Sequence, residues 1–322
     1  MYQERKKLGF ELLISNLFSN LGGLIFTNML FLLPFLGSIA IAWAIYHFLL
    51  PVFIIVMPLS LVLASPFYAG VVLISRDYSQ NIDTQSKAKA YFKAVKENGF
   101  KYLIIGILGY VSILSCYFGV KVYSTMAALS GIFYVMMFFI LLMSVFFLFF
   151  FFAAPLMTVS FDLKTKDIIK NSALMTFGEL KKNFFATIGV VAYLGVVLFP
   201  MIVLPYLTAV LSVQLVKIIL IAYLGVALGL LIPAPCALII SHYLYPNMKA
   251  VIAGEGVPSF TITPKEKEDT AVSEKKEEIT PSPKEIEGLS KGDGDEYIFY
   301  QGKMIKRKFL IKILKDKEND NE

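Results

Sequence analysis

Charge is absent from long stretches of this sequence. Residues 12–75, a run of 64, contain no Asp, Glu, Lys or Arg, and neither do the 40 residues from 122 to 161. A soluble domain is about 45–50% apolar and spreads its charges along the chain, whereas this chain is 57% apolar with a mean hydropathy of +0.68. Because one bilayer crossing takes about 20 apolar residues, these runs exclude a water-soluble globular protein and indicate a polytopic membrane protein.

Cysteine and histidine are scarce as well. Cys116 and Cys236 each lie in an apolar run and form no CxxC pair, which excludes a disulfide framework and a thiolate metal site. In the predicted topology His47 and His242 fall near opposite membrane faces and cannot act together. The sequence also lacks a Ser-His-Asp set, an HExxH helix and a phosphate-binding loop. We therefore expect no catalytic residue, no cofactor and no metal, and we expect that the protein is not an enzyme.

The apolar runs predict an all-α fold with six transmembrane helices arranged as three hairpin pseudo-repeats. The spans are expected at about 21–45, 51–75, 102–120, 130–157, 184–206 and 218–244. A charged amphipathic stretch precedes the first, third and fifth spans, and each is expected to form an interfacial helix on the cytosolic surface. These interfacial helices are predicted at about 5–19, 85–100 and 165–182, and they complete a membrane domain over residues 1–250.

The tail beyond this domain differs in composition. Residues 251–294 are rich in Lys, Glu, Pro, Ser and Thr and poor in large apolar residues, so a disordered linker is predicted. Residues 295–317 permit two interpretations. Tyr297–Tyr300 could pair with Lys303–Lys306 as a small basic hairpin, or the segment could form a basic amphipathic helix on the membrane. Neither element could bury a core alone, which favours a marginal structure or a docking peptide.

The segment 159–186 joins two long apolar runs and is itself too charged to cross a bilayer. Ile169, Ala173, Phe177 and Leu180 recur in it at helical spacing. Four lysines lie mostly off this stripe, namely Lys166, Lys170, Lys181 and Lys182. We therefore expect a helix that lies on the membrane surface with its apolar side down and these lysines at anionic lipid headgroups. Membrane lipids are the partners that this pattern predicts.

The distribution of basic residues predicts the orientation in the membrane. Fourteen Lys and Arg residues fall in the N-terminal region and the two charged connecting segments, against only Lys121 and Lys217 on the other side. This bias places both termini in the cytosol. A pI of 9.0 could suggest nucleic-acid binding, but the basic residues flank apolar spans. Lipid headgroups are therefore the expected partner, and nucleic acid is not.

An internal repeat is indicated by asparagine and proline. Asn20, Asn98 and Asn183 each precede an outward span, and Pro66, Pro155 and Pro235 each follow a small residue near the end of a returning span. Asparagine can hydrogen-bond backbone where a surface helix turns into the membrane. A proline with a small neighbour loosens the helix and permits close approach. The alternative is that Asn and Pro merely cluster at span ends.

Polar residues inside the predicted spans are uncharged. None of the Lys, Arg, Asp and Glu residues before position 249 falls in a predicted span core, although intramembrane enzymes and ion-coupled transporters normally place ionisable groups there. We expect most of the embedded polar residues to form local hydrogen bonds; they are Asn28, Ser38, Ser112, Ser115, Ser130, Ser144, Thr208 and Gln214. This pattern argues against an intramembrane enzyme.

Four stretches of the chain carry a resemblance to a known family. They are residues 28–34 (NMLFLLP), 65–70 (SPFYAG), 91–98 (YFKAVKEN), and 161–162 (FD) followed by 169–173 (IKNSA). Over roughly residues 15–200 the chain resembles the YesL-like family of bacterial integral membrane proteins of unknown function. It departs from that family by a longer first hairpin and a 74-residue tail. The resemblance implies the cytoplasmic membrane of a bacterium and a transport-associated role, often beside carbohydrate-uptake systems, and it brings no catalytic residues.

Two functional hypotheses follow from these observations. The first is a non-enzymatic membrane protein accessory to solute uptake, with carbohydrate as a candidate solute, or to a membrane complex, which implies a transporter or another membrane protein as partner. The second is a carrier that itself translocates a neutral or lipid-like solute and uses the pseudo-repeats and kinked spans as moving parts.

Overall fold

The computed structural model describes residues 9–82, 86–209, 212–253, 297–300 and 303–311. Within these ranges the chain is helical except for short connections and two strands. The helices are α1 (Phe10–Ser19), α2 (Leu21–Phe48), α3 (Phe53–Val56), α4 (Leu59–Ser79), α5 (Lys87–Met126), α6 (Ile132–Ser160), α7 (Thr165–Gly178), α8 (Leu180–Val203), α9 (Val213–Val226) and α10 (Pro233–Ala253). A 3-10 turn (Leu204–Ala209) follows α8, and a π-helical turn (Ala227–Leu231) follows α9.

Six helical stretches in the described part of the chain are long and apolar enough to cross a membrane. They are Leu21–Phe48, Phe53–Ser79, Lys87–Met126, Ile132–Ser160, Leu180–Tyr206 and Val213–Leu231. Their outward faces are apolar: Leu33, Phe48 and Val196 are each at least 75% exposed. Apolar surface of this extent is tolerated in lipid and not in water. The prediction of an all-helical membrane domain with six apolar spans is confirmed at this level.

The chain divides into two compact units, which we describe separately. One comprises Met1–Val159 and Leu163–Tyr245, and the other comprises Ser160–Asp162 and Pro246–Glu322. In the second unit β1 (Tyr297–Tyr300) and β2 (Lys303–Lys306) pair antiparallel. These residues thus adopt the hairpin that was one of two interpretations of the tail. Residues 254–296, which include most of the expected linker, lie outside the described residues, as do 301–302 and 312–322.

Helix α5 unites two elements that were expected to be separate. The surface helix at 85–100 and the span at 102–120 form one uninterrupted helix, Lys87–Met126. The reason is a stripe of buried residues that continues across the expected boundary: Tyr91, Ala94, Asn98, Tyr102 and Ile105. Residues at this spacing lie on one side of a helix and pack against one neighbouring helix. A bend after residue 100 would separate part of this side from that neighbour.

That neighbour is α4, and small residues permit the close approach. A side chain added at Gly70 would overlap the Tyr91 ring. One added at Gly106 would overlap the Ser65 side chain and lie 3.3 Å from the Val62 Cα. Small residues at helix contacts in membranes allow backbones to approach closely, so the α4–α5 pair is held by packing.

The expected surface helix at 165–182 ends earlier than predicted. Helix α7 stops at Gly178, and α8 begins at Leu180 after a non-helical Glu179. Lys181 and Lys182 therefore belong to the first turn of a span, whereas Lys166 and Lys170 lie on α7. Glycine ends helices readily because it costs most conformational entropy in a helix interior. The first surface helix also differs in its bounds, since α1 begins at Phe10 and residues 5–8 lie outside the described residues.

The three repeat asparagines donate hydrogen bonds to backbone carbonyls. The Asn20 amide donates to Asn16 O at 2.9 Å, and the Asn98 amide donates to Ala94 O at 3.1 Å. The Asn183 amide reaches across the α7–α8 break and donates to Met175 O at 3.2 Å. Two of the three therefore lie at helix junctions, while Asn98 lies inside α5. The repeat prolines Pro66, Pro155 and Pro235 lie inside α4, α6 and α10 respectively.

Candidate functional site: an apolar cavity beside a broken helix

A cavity of about 730 Å³ lies among α2, α4, α5, α6 and the segment that follows α9. Its wall includes Phe31, Tyr68, Gly109, Cys116, Phe151 and Leu228. Ligand pockets in proteins typically measure about 300–1,000 Å³. The cavity is therefore large enough for a small molecule or part of a lipid.

The described residues that line the cavity include polar side chains but no charged one. Their hydroxyl protons are largely committed to backbone: Tyr102 donates to Pro155 O at 2.7 Å, Tyr110 to Ile55 O at 3.1 Å, Ser112 to Leu108 O at 2.8 Å and Ser144 to Ile140 O at 2.9 Å. The expectation of local hydrogen bonds is thus confirmed for Ser112 and Ser144. An ionic headgroup in such a cavity would lose its hydration without gaining a counter-charge. The wall therefore suits a neutral, largely apolar molecule.

One side of the cavity is formed by a broken helix, which we call the broken segment (residues 227–235). Here α9 passes through a π-helical turn, in which the Ile232 N–H donates to Ala227 O at 3.0 Å, five residues back. Pro233 and Pro235 follow within α10 and have no N–H groups to donate. Prolines and π turns are the usual causes of interruptions in the α-helical hydrogen-bond ladder. The sixth span, expected as one helix at 218–244, is therefore interrupted.

The fully buried Asn28 of α2 bridges the interruption. Its Nδ2 donates to Leu230 O at 2.7 Å, and its Oδ1 accepts from the Ala234 N–H at 2.9 Å. In an α-helix the Ala234 N–H would donate directly to Leu230 O, four residues back. The Asn28 carboxamide therefore lies between the donor and the acceptor of what would be one α-helical hydrogen bond. The expectation that Asn28 bonds locally is wrong, because its partners lie more than 200 positions away.

Two further side chains hydrogen-bond the backbone of the broken segment. Leu231 O would accept from residue 235 in an α-helix, but residue 235 is proline, and the Tyr193 hydroxyl donates to this carbonyl instead at 2.8 Å. The buried Ser75 hydroxyl donates to Ala234 O at 2.9 Å. Leu231 O, which Pro235 leaves without a helical donor, needs such a partner inside a membrane protein, since no water replaces it there. Helices α2, α4 and α8 each contribute one.

A buried ion pair lies next to Ser75 on α4. The Arg76 side chain is 1% exposed, and its Nη2 lies 2.6 Å from Asp77 Oδ1. Arg76 also donates through Nη1 to Val159 O of α6 at 3.2 Å, and its guanidinium lies 5.6 Å from the centre of the Tyr245 ring. One side chain therefore contacts α6 and α10 from α4. The sequence places Arg76 in the charged segment that precedes the third span, at the membrane surface, and its burial corrects that expectation.

The residues predicted from sequence mostly lie away from the cavity. Pro155 is the one repeat residue that the structure places in its described lining. Lys166, Lys170 and Lys181 are exposed on α7 and α8, and Lys182 is half-buried. Two residues that form long-range contacts stand out in the sequence. Asn28 is an amide inside a charge-free span, and Arg76 is the first charged residue after 12–75 and is followed directly by Asp77. Only their long-range partners could reveal their roles.

No family model, no curated protein and no solved structure matches this chain. The functional proposal therefore rests on the geometry of the cavity and the broken segment. The resemblance to YesL-like proteins therefore stays a prediction.

Proposed function

We propose that this protein is a non-enzymatic carrier that binds a neutral, lipid-like molecule in its cavity and moves it within the membrane. The observation that carries the proposal is the cavity of about 730 Å³ with no charged residue in its described lining. Each methylene buried in an apolar site contributes about 0.8 kcal/mol. A molecule with an extended apolar part would therefore gain affinity from this wall without needing a charged partner.

We also propose that the six spans form three hairpin repeats, with both termini in the cytosol of a bacterial cell. The positions of Asn20 and Asn183 at helix junctions, and of the three prolines inside returning helices, support the repeats. The second repeat departs from this pattern, because its surface helix and its outward span form one continuous helix, α5. The lysine and arginine bias supports the orientation.

The accessory role in solute uptake, with a transporter as partner, is the other expectation. This role depends on the family resemblance and on the lack of charged residues in the predicted span cores. It stays a prediction, and the cavity favours the carrier.

Ligand binding is tested by photolabelling the full chain in liposomes with a diazirine-bearing fatty alcohol. We expect cross-links at cavity residues such as Phe151 and Cys116. Gly109→Leu should reduce this labelling severalfold, because a Cβ at Gly109 lies 3.5 Å from Phe151, at ordinary contact distance, and the rest of the side chain fills the cavity. Gly195→Leu is the matched control, since a Cβ at Gly195 meets nothing within 4 Å.

Cavity labelling that is equal in Gly109→Leu, Gly195→Leu and the wild type would contradict the proposal. Movement is tested separately by following an uncharged fluorescent lipid analogue between the leaflets of the same liposomes. We expect faster exchange than in protein-free vesicles, and slower exchange with Gly109→Leu than with Gly195→Leu. Exchange at the rate of protein-free vesicles would contradict the carrier and favour the accessory role.

A further inference from the structure

We propose that the broken segment is a two-state hinge, held open by Asn28, that controls the shape of the cavity. The inference rests on the proposed function, because it concerns regulation of the same cavity. The decisive geometry is that the two partners of Asn28, Leu230 O and the Ala234 N–H, are the two halves of one α-helical hydrogen bond. If the carboxamide withdraws, these halves can bond directly to each other.

Two discrete arrangements of the backbone follow from this geometry. In the open arrangement the Asn28 carboxamide lies between Leu230 and Ala234, and the preceding turn is π-helical. In the closed arrangement the Ala234 N–H donates to Leu230 O and the turn becomes α-helical. Interconversion between packed alternatives of this kind is how small local changes produce larger shifts. Pro233 and Pro235 keep the neighbouring carbonyls out of the helical ladder in both arrangements, so the closed helix remains easy to reopen.

The hinge is coupled to the cavity because they share residues. Leu228, Ile232 and Pro233 of the broken segment line the cavity. On the facing helix, Phe31 and Phe35 also line it, one and two turns after Asn28. Closing the Leu230–Ala234 bond therefore displaces one wall relative to the other.

Glycine permits the close contact between the two walls. A Cβ at Gly229 would meet the Leu32 side chain, so α2 approaches the π-helical turn where no side chain intervenes. A change in the turn is thereby passed to α2 by direct contact. Ligand in the cavity and the state of the hinge must then influence each other, because any ligand that prefers one state shifts the equilibrium toward it.

The test uses Asn28→Leu, which has a similar volume and removes both hydrogen bonds. Thr27→Val is the matched control: Thr27 is the preceding residue, is fully buried, and donates only within α2, to Gly23 O at 2.8 Å. Asn28→Asp is the rescue variant, because a protonated carboxyl supplies one donor and one acceptor, and burial in an apolar bundle favours the protonated form.

Hinge movement is measured first, without any ligand. Spin labels are placed at Leu33 on α2 and Ile221 on α9, which are 78% and 72% exposed, after Cys116 and Cys236 are replaced by Ala. We expect one distance in the wild type, in Thr27→Val and in Asn28→Asp, and a second distance in Asn28→Leu. The population ratio should change roughly tenfold, as two interhelical hydrogen bonds in a membrane imply. Identical distances in all four proteins would overturn the hinge.

Cavity control is measured next, with the diazirine-bearing fatty alcohol. Labelling of Phe151 should change severalfold in Asn28→Leu and stay at the wild-type level in Thr27→Val. A changed distance with unchanged labelling would overturn the control of the cavity. A wild type that is not labelled in the cavity would contradict the proposed function, while the distance measurement would still test the hinge by itself. If Asn28→Leu does not fold, Tyr193→Phe removes a weaker contact to the same segment and should shift the distances in the same direction.

Discussion

The α4–α5 pair and the α9–α10 region accommodate proline in opposite ways. Pro66 lies inside an unbroken α4, against which α5 packs closely at Gly70 and Gly106. Pro233 and Pro235 lie two positions apart beside a π-helical turn, and side chains from three other helices hydrogen-bond the backbone of this segment. Val62 O, which Pro66 leaves without a helical donor, accepts a hydrogen bond from the Ser65 hydroxyl of the same helix at 2.7 Å. The difference teaches that a neighbouring side chain within the helix suffices for one proline, whereas two prolines within three residues draw polar partners from other helices.

The largest effect is expected from breaking the ion pair on α4. Arg76→Met should lower the free energy of unfolding by about 3–5 kcal/mol, because Asp77 would stay buried without its nearest counter-charge. Chemical unfolding in detergent micelles measures this. The double variant Arg76→Met with Asp77→Leu should recover much of the loss. Lys93→Met is the control, since the exposed Lys93–Glu97 pair should contribute within about 0.5 kcal/mol; equal losses at Arg76 and Lys93 would contradict the importance of burial.

The next largest effect concerns close packing. Gly106→Leu should destabilise the protein by about 1–3 kcal/mol, because the new side chain would overlap Ser65 and the backbone at Val62. Gly195→Leu, on an open part of α8, should leave the unfolding free energy nearly unchanged. The same unfolding measurement compares them. If Gly106→Leu is tolerated as well as Gly195→Leu, close approach does not hold the α4–α5 pair.

A smaller and graded effect is expected in the α9–α10 region. Tyr193→Phe should cost about 1 kcal/mol and Ser75→Ala less, roughly the 0.6 kcal/mol typical of interhelical hydrogen bonds in membranes. The reason is that Leu231 O has no helical partner, since residue 235 is proline, whereas Ala234 O can still accept within α10. Thermal unfolding in nanodiscs ranks the two variants. The opposite order would show that proline does not decide which carbonyl needs a partner.

The smallest effect on stability is expected from the surface lysines. Replacing Lys166, Lys170, Lys181 and Lys182 with Gln should leave unfolding of the spans unchanged but make α7 several times more sensitive to protease in anionic vesicles. The reason is that Phe177 of α7 is 62% exposed beside these charges, as expected for a helix resting on lipid. In vesicles of neutral lipid the variant and the wild type should be cut equally. Equal cutting of the variant and the wild type in anionic vesicles would contradict the proposed contact between these lysines and lipid.

Sequence reasoning succeeded where a property depends on residues near one another in the chain. The six apolar stretches and the turn after Phe48 follow from local composition. It failed at α5, because the stripe from Tyr91 to Ile105 has meaning only against α4. It also failed at Asn28 and Arg76, which were given local or surface roles.

The sequence alone determined that this is a helical membrane protein with six apolar stretches, because hydrophobic length and the absence of charge act locally and additively. Only the tertiary structure decided that Asn28 meets Leu230 and Ala234, that Arg76 is buried against Val159 and Tyr245, and that a cavity opens among α2, α4, α5 and α6. These contacts join residues about 80 to more than 200 positions apart. A backbone group released by proline bonds to whichever polar side chain packing brings within reach, and no local pattern in the chain specifies that partner.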